Sequence, residues 1–401
     1  MKLKSGLPFS LLRFGLPFNY PKLSSSTSCD VVILGGGISG ALCAHALCEA
    51  GIDCIVVDRR TIGLGSTAAS TSLLQYEIDV SLNDLSTLRG KENAARTYLL
   101  CSDTLMTLET LCQRIGFTGF KRTNSLYYGY NKKDEQRLKE EYRTRKSIGL
   151  DVQYLDREDL RERYEISAFG AIESSNAAHA DAYALTHAIL QHCLKKGVRV
   201  FDRTNITKVT SAKGKLRATS EDGFTIQARH IIYATGYEAV EVLKKKVVSL
   251  RSTYVTISES MNDCSSLPFH STLVWNTADP YLYMRCTDDG RIIVGGRDDK
   301  YHNPTRRDAA IDRKAKLLTR DFEKLFPDIP FIPEFSWAGT FGTTKDGLPF
   351  IGKQTPSQNK YFALGFGGNG IVFSMIAAQL IRDAILGKKN PDSKLFSFDR
   401  A

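Results

Sequence analysis

The chain has 401 residues and a formal net charge of +10, and 42% of its residues are hydrophobic while 24% are charged. Its length predicts two or three domains with ample core, its composition excludes a disordered or collagen-like chain, and its apolar runs are too short for an integral membrane segment. The basic charge permits an acidic partner, but the lysine runs Lys132-Lys133 and Lys244-Lys246 lack interleaved aromatic residues, which argues against nucleic acid.

The N-terminal segment, residues 1–29, contains Lys2, Lys4, Arg13 and Lys22 and no acidic residue. This charge balance is typical of a transit peptide. Glycine and proline recur too often, however, for an amphipathic targeting helix. We therefore predict an ordered N-terminal arm lying on the protein, with a targeting segment as the alternative.

A glycine-rich unit follows, over the range Asp30–Asp58. An apolar run, a turn, an Ala/Leu-rich segment and a second apolar run predict strand, turn, helix and strand. Gly35, Gly37 and Gly40 have G-x-G-x-x-G spacing, which lets a pyrophosphate approach the helix N-terminus. Asp58 comes 18 residues after Gly40, where an acid can bind a ribose hydroxyl. This unit predicts a dinucleotide site without deciding between NAD and FAD.

The next stretch, 59–74, is rich in small and hydroxylated residues that can approach a flat ligand closely, and Gln75-Tyr76-Glu77 could line the same cavity. The highly charged segments 134–146 and 157–163 are interpreted as solvated helix faces. Further helices are predicted within 91–148 and over 181–196, 309–325 and 370–386. Strands are predicted over 125–128, 198–201, 206–212, 215–219, 224–228, 230–234, 252–258, 272–275, 281–285, 291–295, 335–341 and 361–363.

Two interleaved domains follow from this order of elements. The dinucleotide domain takes 30–75, 150–240 and 336–401. The second domain takes 76–149 and 241–335, where alternating strands and a hairpin turn at Asp288-Asp289-Gly290 predict an antiparallel sheet.

Four separated motifs resemble, in family order, the FAD-dependent amine and amino-acid oxidoreductases of the D-amino-acid oxidase, glycine oxidase and sarcosine oxidase type. They are Gly35–Gly40 with Asp58, Gly65-Ser66-Thr67, Ala234-Thr235-Gly236, and Gly339–Gly352 with Gly365–Gly370. The resemblance implies FAD rather than NAD. It also implies an α/β fold, in which a doubly wound Rossmann-like FAD domain is interleaved with an antiparallel-sheet substrate domain of α+β type.

The resemblance also implies a set of cofactor-binding residues. They are Gly35, Gly37 and Gly40 at the pyrophosphate; Asp58 at the adenosine ribose, where the family more often has Glu; Ser66 and Thr67 at the phosphates; Ser70, Thr71 and Leu73 near the flavin; Val209 at the adenine; Thr235 and Gly236 at the adenosine-side turn; and Gly368, Asn369, Gly370 and Ile371 at the flavin pyrimidine. Further cofactor-binding positions are Ile38, Ser39, Arg59, Gly65, Ala234, Gly342 and Gly367.

Several positions depart from the family pattern. Phe341 and Gly368 stand where glycine oxidases have arginines that hold the substrate carboxylate, and phenylalanine cannot make a bidentate clamp. Ile293 matches the lysine with which sarcosine oxidases activate oxygen, and Gly339 matches their flavin-linking cysteine. We therefore predict non-covalent FAD and a dehydrogenase rather than an oxidase.

Tyr281 matches a family tyrosine that touches the substrate carboxylate, and Arg285 is the nearest cation along the same segment. Tyr281, Tyr283 and Arg285 are alternate residues, so they share one face of a strand. We hypothesise that this face looks towards the flavin and orients the substrate. The alternative is that Arg285 pairs with Asp288 or Asp289 at the hairpin.

The predicted reaction is oxidation of the C–N bond of a small amine or amino acid by hydride transfer to flavin, with an unidentified electron acceptor. Alternatives are a hydroxy-acid or alcohol substrate, an amine carried on tRNA, and a catalytically inactive FAD-binding scaffold. The histidines lack ligand spacing, so no metal is expected. The nine cysteines include no C-x-x-C pair, which favours reduced thiols and a cytoplasmic location.

Overall fold

A computed structural model describes residues 1–212, 214–243, 247–261, 264–364 and 366–400. Lys213 of a predicted turn, the run Lys244-Lys246 and Gly365 of the second glycine-rich turn lie outside these ranges. The helices are α1 Phe9–Phe14, α2 Ile38–Cys48, α3 Leu82–Arg89, α4 Lys91–Ile115, α5 Asp134–Ser147, α6 Arg157–Tyr164, α7 Ala182–Lys195, α8 Pro304–Leu325 and α9 Gly370–Ile385.

The strands form an eight-stranded and a ten-stranded sheet. They are β1 Lys4–Gly6, β2 Thr27–Leu34, β3 Cys54–Val57, β4 Leu73–Gln75, β5 Lys121–Tyr128, β6 Val152–Leu155, β7 Ala171–His179, β8 Arg199–Phe201, β9 Ile206–Ala212, β10 Lys215–Ser220, β11 Thr225–Tyr233, β12 Ser249–Ser258, β13 Thr272–Asn276, β14 Tyr283–Cys286, β15 Ile292–Asp299, β16 Pro333–Thr343, β17 Phe350–Lys353 and β18 Lys360–Leu364. This mixture of sheets and helices confirms the α/β class.

The eight-stranded sheet has a parallel core in the order β18-β11-β2-β3-β8. Its central strands are apolar along their length because both faces are covered. Val31 and Ile33 of β2 pack in the cluster that contains α2, α7 and α9, while Val32 and Leu34 pack against the meander β9-β10-β11. The carboxyl ends of the parallel strands therefore meet at one edge, where ligands bind in such sheets.

The ten-stranded sheet runs β1-β16-β12-β15-β14-β13-β5-β7-β4, with β6 paired to β7. All neighbours are antiparallel except β13 and β5. Helix α8 packs against β12, β15 and β16, and its Leu318 and Phe322 share an apolar cluster with Val294 of β15. Residues of this sheet and of the first sheet line one cavity.

Two predictions about strands need correction. We predicted two strands over this part of the chain, but Thr225–Tyr233 is one continuous strand. It is continuous because both of its halves pair with β2, while the amino half also pairs with β10. Strands β6 and β7 lie within the range 150–240 assigned to the dinucleotide domain, yet they hydrogen-bond in the ten-stranded sheet. Strand β16 does the same at the start of 336–401.

The N-terminal arm lies on the ten-stranded sheet. Strand β1 pairs with β16, with Lys4 opposite Gly339. Arg307 of α8 is fully buried and donates to the Ser5 hydroxyl at 2.8 Å and to the Lys2 carbonyl at 3.0 Å. The arm is thus held by both backbone and side-chain hydrogen bonds, as the prediction of an ordered segment required.

Most of helix α5 is the solvated face that its charges suggested, but Leu138, Glu141 and Arg145 form a buried side. Arg145 and Glu141 are buried on it, and their Nε and Oε1 atoms are 2.9 Å apart. Arg145 also contacts Glu77 at 3.4 Å. Glu141 accepts the N–H groups of Leu82 at 2.8 Å and Asn83 at 3.0 Å, so its charge sits at the N-terminus of α3. In the ranges that the structure covers, no helix is both long and apolar enough to cross a membrane.

Candidate active site

A large cavity is lined by residues of both sheets. One end is formed by the β2–α2 turn, the end of β3 and the segment after β11. The other end is formed by residues of β12, β13, β15 and β16, by the segment that leads into β14, and by the segment that follows β4. The N-termini of α2 and α9 both open onto this cavity, and such helix ends attract negative charge.

The β2–α2 turn depends on two close approaches. A Cβ at Gly40 would lie 1.8 Å from the Gly35 carbonyl oxygen, so helix and strand can pack only because this residue is glycine. A Cβ at Gly37 would lie 2.7 Å from Oγ1 of Thr67. That oxygen accepts the N–H of Ile38 at 3.1 Å. The turn and the loop containing Thr67 therefore form one wall.

Asp58 ends β3 and lines the cavity beside this turn. Its carboxylate accepts the N–H groups of Gly36 and Arg60, each at 2.7 Å. Burial raises the pKa of Asp58, while the hydrogen bonds from Arg60 and Gly36 lower it. Arg59 and Arg60 both pair with Glu238, which keeps their charges at the rim. An anionic Asp58 retains lone pairs that can accept ribose hydroxyls.

Some buried polar atoms of the cavity make no hydrogen bond to the described residues. The Oγ of Ser66 and the Oγ1 of Thr235 are buried without a hydrogen-bond partner among the described residues, and both side chains line the cavity. Buried hydroxyls normally find a partner. Asn369 fixes the start of α9 by donating to the Gln75 and Glu77 carbonyls at 3.0 and 2.6 Å. These features fit a dinucleotide whose phosphates meet α2 and whose ring reaches α9.

Most of the predicted cofactor residues line this cavity; Gly40, Val209 and Gly342 do not. Gly40 acts in packing, as described. Val209 lies inside β9 opposite Ala218, and the residues that reach the cavity precede it, over 204–206. At Gly342 a Cβ would lie 2.5 Å from Cγ1 of Val248, so this glycine also serves packing.

Arg285 corrects the hypothesis of a shared substrate face. Tyr281 and Tyr283 line the cavity, but Arg285 does not. Its buried guanidinium donates to the Thr71 carbonyl at 2.8 Å and to the Cys286 carbonyl at 2.9 Å. Burial lowers the pKa of Arg285 to about 10. Arg285 therefore supports the loop that carries Thr71 and is withdrawn as a group that touches substrate.

The alternative for Arg285, an ion pair at the hairpin, is not what the structure shows either. Asp289 contacts Arg13 at 3.6 Å and Arg291 at 3.1 Å. Asp288 approaches His179 at 4.0 Å. Asp289 thus pairs with other arginines, and Asp288 acts on Arg285 only through its charge, which raises the pKa of Arg285 against the effect of burial.

Two carboxylates that we did not predict lie at the second end of the cavity. Asp79 accepts the Tyr281 hydroxyl at 3.2 Å and the Gly368 N–H at 3.0 Å, and Asp298 lies on β15. The surrounding walls raise the pKa of Asp79 by desolvation. An isolated acid has no spacing signature, but the pair Gly295-Gly296 inside a strand is a signal for a bulge next to Asp298.

The departures from the family pattern also have places in the structure. Phe341, Gly339 and Gly368 all line the cavity. Ile293 instead packs with Phe9 and Trp337 in a small apolar cluster under the N-terminal arm. The second end of the cavity is consequently walled by aromatic side chains and carboxylates.

A separate cluster joins α2 and α7 far from these residues. His45, Glu49 and His192 place their ligand atoms within 4.8 Å of one another. Lys196 and Arg114 pair with Glu49, and the hydrogen bond from Lys196 is the main cause that lowers the pKa of Glu49 to about 2. The structure therefore assembles potential ligands that no sequence spacing indicated, but basic side chains already neutralise the carboxylate.

A dinucleotide cavity that opens onto an antiparallel sheet defines a flavin-dependent oxidoreductase. The family described as FAD dependent oxidoreductase matches residues 30–384, and the chain belongs to this family. Its cofactor is therefore FAD, which the residues described above fit.

Known relatives agree with this assignment. The chain is 22% identical to gamma-glutamylputrescine oxidoreductase of Escherichia coli over 386 residues, which is 92% of this chain and 86% of the relative. It is 23% identical to glycine oxidase of Bacillus licheniformis over 376 residues, covering 89% and 93%. The crystal structure of glycine oxidase from Geobacillus kaustophilus superimposes with a TM-score of 0.79 at 20% identity, covering 93% and 99%. At this identity the superposition shows the fold alone.

Proposed function

We propose that this chain oxidises the C–N bond of a small amine, and that the substrate needs no carboxylate. The observation that carries the proposal is the pair of carboxylates, Asp79 and Asp298, at the end of the cavity away from the dinucleotide turn. A protonated amine is attracted to such a site, whereas an amino-acid or hydroxy-acid carboxylate is repelled. Gamma-glutamylputrescine and glycine, which name two relatives, both contain an amine nitrogen.

The arginines that line the cavity lie at the dinucleotide end and not at the end where Asp79 and Asp298 lie. Phe341 and Gly368 stand where the resemblance would put arginines. Arg59 and Arg60 line the cavity only at the dinucleotide end, where Glu238 neutralises them. This distribution of charge favours a cationic substrate over the hydroxy-acid alternative.

FAD, when bound, supplies the two-electron acceptor. The protein binds the ammonium group with its carboxylates, orients the carbon chain between Trp275, Tyr281 and Tyr283, and excludes water by its apolar walls. The ring centroids of Trp275 and Tyr281 are 6.1 Å apart in a T-shaped arrangement. The edge of one ring therefore points at the face of the other. Aromatic faces of this kind also attract cations.

Anaerobic titration of the holoenzyme with ethylamine, n-butylamine, benzylamine, N-methylbutylamine, putrescine, glycine, L-proline and lactate tests the proposal. We expect the amines without a carboxylate to bleach the flavin band near roughly 450 nm, a cofactor property, faster than glycine and L-proline do, and lactate to leave it unchanged. In air, an artificial acceptor should be reduced faster than peroxide forms. Bleaching by lactate but by no amine would contradict the proposed substrate class.

A further inference from the structure

Strand β15 contains an irregularity next to the cavity. Thr253 of β12 faces two residues of β15, Arg297 and Asp298, where a regular antiparallel ladder has one. This is a β-bulge with one extra residue. Bulges reverse the alternation of side chains beyond them and are common beside active sites, where they re-aim a side chain.

The bulge is fixed from its rear by α8. Arg297 has a φ of +55°, a left-handed conformation that is unfavourable for a residue with a side chain. Its guanidinium pairs with Asp321, with Nε donating at 2.6 Å. Lys314 donates to the Arg297 carbonyl and to the Asp299 carboxylate, the latter at 2.8 Å. Arg297 and Asp299 are thereby turned towards α8.

Asp298 is turned the other way, into the cavity. Its Oδ1 is buried and has no hydrogen-bond partner in the part of the chain that the structure describes. Tyr281 and Tyr283 are the phenols that interact with it, and burial raises the pKa of both, so they remain neutral. Asp79 differs, because both of its oxygens already accept hydrogen bonds.

Charged groups from three other elements act on Asp298. Burial is the largest influence and raises its pKa to about 7. A hydrogen bond from Thr253 lowers the pKa, the negative charge of Asp79 raises it, and Arg251 and Lys314 lower it. The carboxylate can thus gain a proton near neutral pH.

We propose that Asp298 accepts the proton of the substrate ammonium group. This inference rests on the proposed function, because an alcohol substrate brings no such proton. The N–H bond breaks, the proton goes to Oδ1 of Asp298, and the nitrogen keeps the electron pair. FAD, when bound, would supply the acceptor for the hydrogen of the neighbouring carbon and its two electrons, which would leave a C=N bond for water to hydrolyse. Asp79 already accepts the Tyr281 hydroxyl and the Gly368 N–H, so among the described residues Asp298 is the carboxylate of this wall with a buried oxygen left to receive the proton.

Asp298→Asn tests the role, with Asp312→Asn as the matched control, because Asp312 is an exposed acid on α8. For wild type with the fastest amine of the titration, flavin reduction should fall roughly tenfold per pH unit below about pH 7. In Asp298→Asn, flavin reduction should be at least about 100-fold slower than in wild type at pH 7.5. Its rate should recover as the pH approaches about 10, where the amine itself is neutral. The control should retain the wild-type rate and profile.

Binding of tert-butylamine gives a second readout that needs no turnover, because this amine has no hydrogen on the reacting carbon. Its affinity for the oxidised holoenzyme can be measured by calorimetry. In wild type the affinity should rise between roughly pH 5.5 and 8, because the carboxyl group of Asp298 ionises over this range. In Asp298→Asn the affinity should be weak and should not change with pH. Equal pH dependence in the two proteins, or no binding to wild type, would overturn the inference.

The two proposals fail in different ways. If no amine bleaches wild-type flavin, the proposed function fails, while the tert-butylamine titration still decides whether the ionised Asp298 binds an ammonium group. If amines bleach the flavin equally fast in wild type and in Asp298→Asn, the proposed function stands and the role of Asp298 is refuted. Flavin absorbance and the unfolding temperature of each variant show whether it still folds around FAD.

Discussion

Thr67 occupies the space into which a side chain at position 37 would project. Its Oγ1 accepts the Ile38 N–H at 3.1 Å and would lie 2.7 Å from a Cβ on Gly37. The second glycine of the motif is therefore required by the adjoining loop as well as by a pyrophosphate. A larger residue at 37 must displace Thr67 from the N-terminus of α2, where we expect the phosphates to bind.

Gly37→Ala should weaken FAD binding by roughly 10- to 100-fold, because overpacking of this size costs about 1–3 kcal/mol. Titration of apoprotein with FAD, followed by quenching of flavin fluorescence, measures the change. Ser24→Ala is the control, since Ser24 is exposed and does not line the cavity. Equal affinities for the two variants would show that the contact with Thr67 is unimportant.

At the scale of elements, α5 shows how a highly charged helix can carry a buried ion pair on one side. Arg145 is 1% exposed at its side chain and lies over the rings of Tyr76, Tyr98 and Tyr127. Its partner Glu77 also lines the cavity. The helix therefore links the wall of the site to α3 and α4 through one cation.

Arg145→Met should destabilise the protein by about 3–5 kcal/mol, because it leaves buried carboxylates without a counter-charge. Arg143→Met on the same helix removes an exposed charge and should change stability by less than about 0.5 kcal/mol. Guanidinium unfolding at neutral pH with saturating FAD compares the two. A similar midpoint for both variants would mean that the buried network contributes little.

The sequence predicted these elements unevenly, for physical reasons. Helix α7 and the turn before α2 were predicted well because their signals are local: apolar spacing, and glycines at fixed positions. Partners of strands are not local, so the placement of β6 and β7 in the ten-stranded sheet was missed. The burial of Arg145 was missed as well, because its counter-charges come from other segments. Asp298 was missed because its direction depends on a bulge and not on its neighbours in sequence.

At the scale of the whole molecule, the chain passes repeatedly between the two sheets. Strands β1, β4, β7 and β16 belong to the ten-stranded sheet, although segments of the dinucleotide sheet lie between them in sequence. The cavity is lined from both sheets. A bound dinucleotide therefore stabilises both together, because a ligand that binds only the folded state adds its binding free energy to stability.

FAD should be held without a covalent bond, since Gly339 stands where relatives of the sarcosine oxidase type have a cysteine. Acid precipitation should leave a colourless pellet and all of the flavin in the supernatant. Added FAD at 100 times its Kd should then raise the stability of the apoprotein by about 2.7 kcal/mol, which thermal unfolding would detect. A yellow pellet would contradict the prediction.

The bulge in β15 has a consequence for the comparison of homologous sequences. Val294 and Gly296 occupy the α8 side of the strand, so in an uninterrupted strand Arg297 would face the cavity and Asp298 would face α8. The bulge reverses the directions of these two side chains. The cavity therefore receives the acid Asp298, whereas a regular alternation along the strand would place the basic Arg297 there. The side chain that β15 presents to the cavity is thus set by the register of the main chain. An alignment that compares only residue types at matched positions would assign this site the opposite sign.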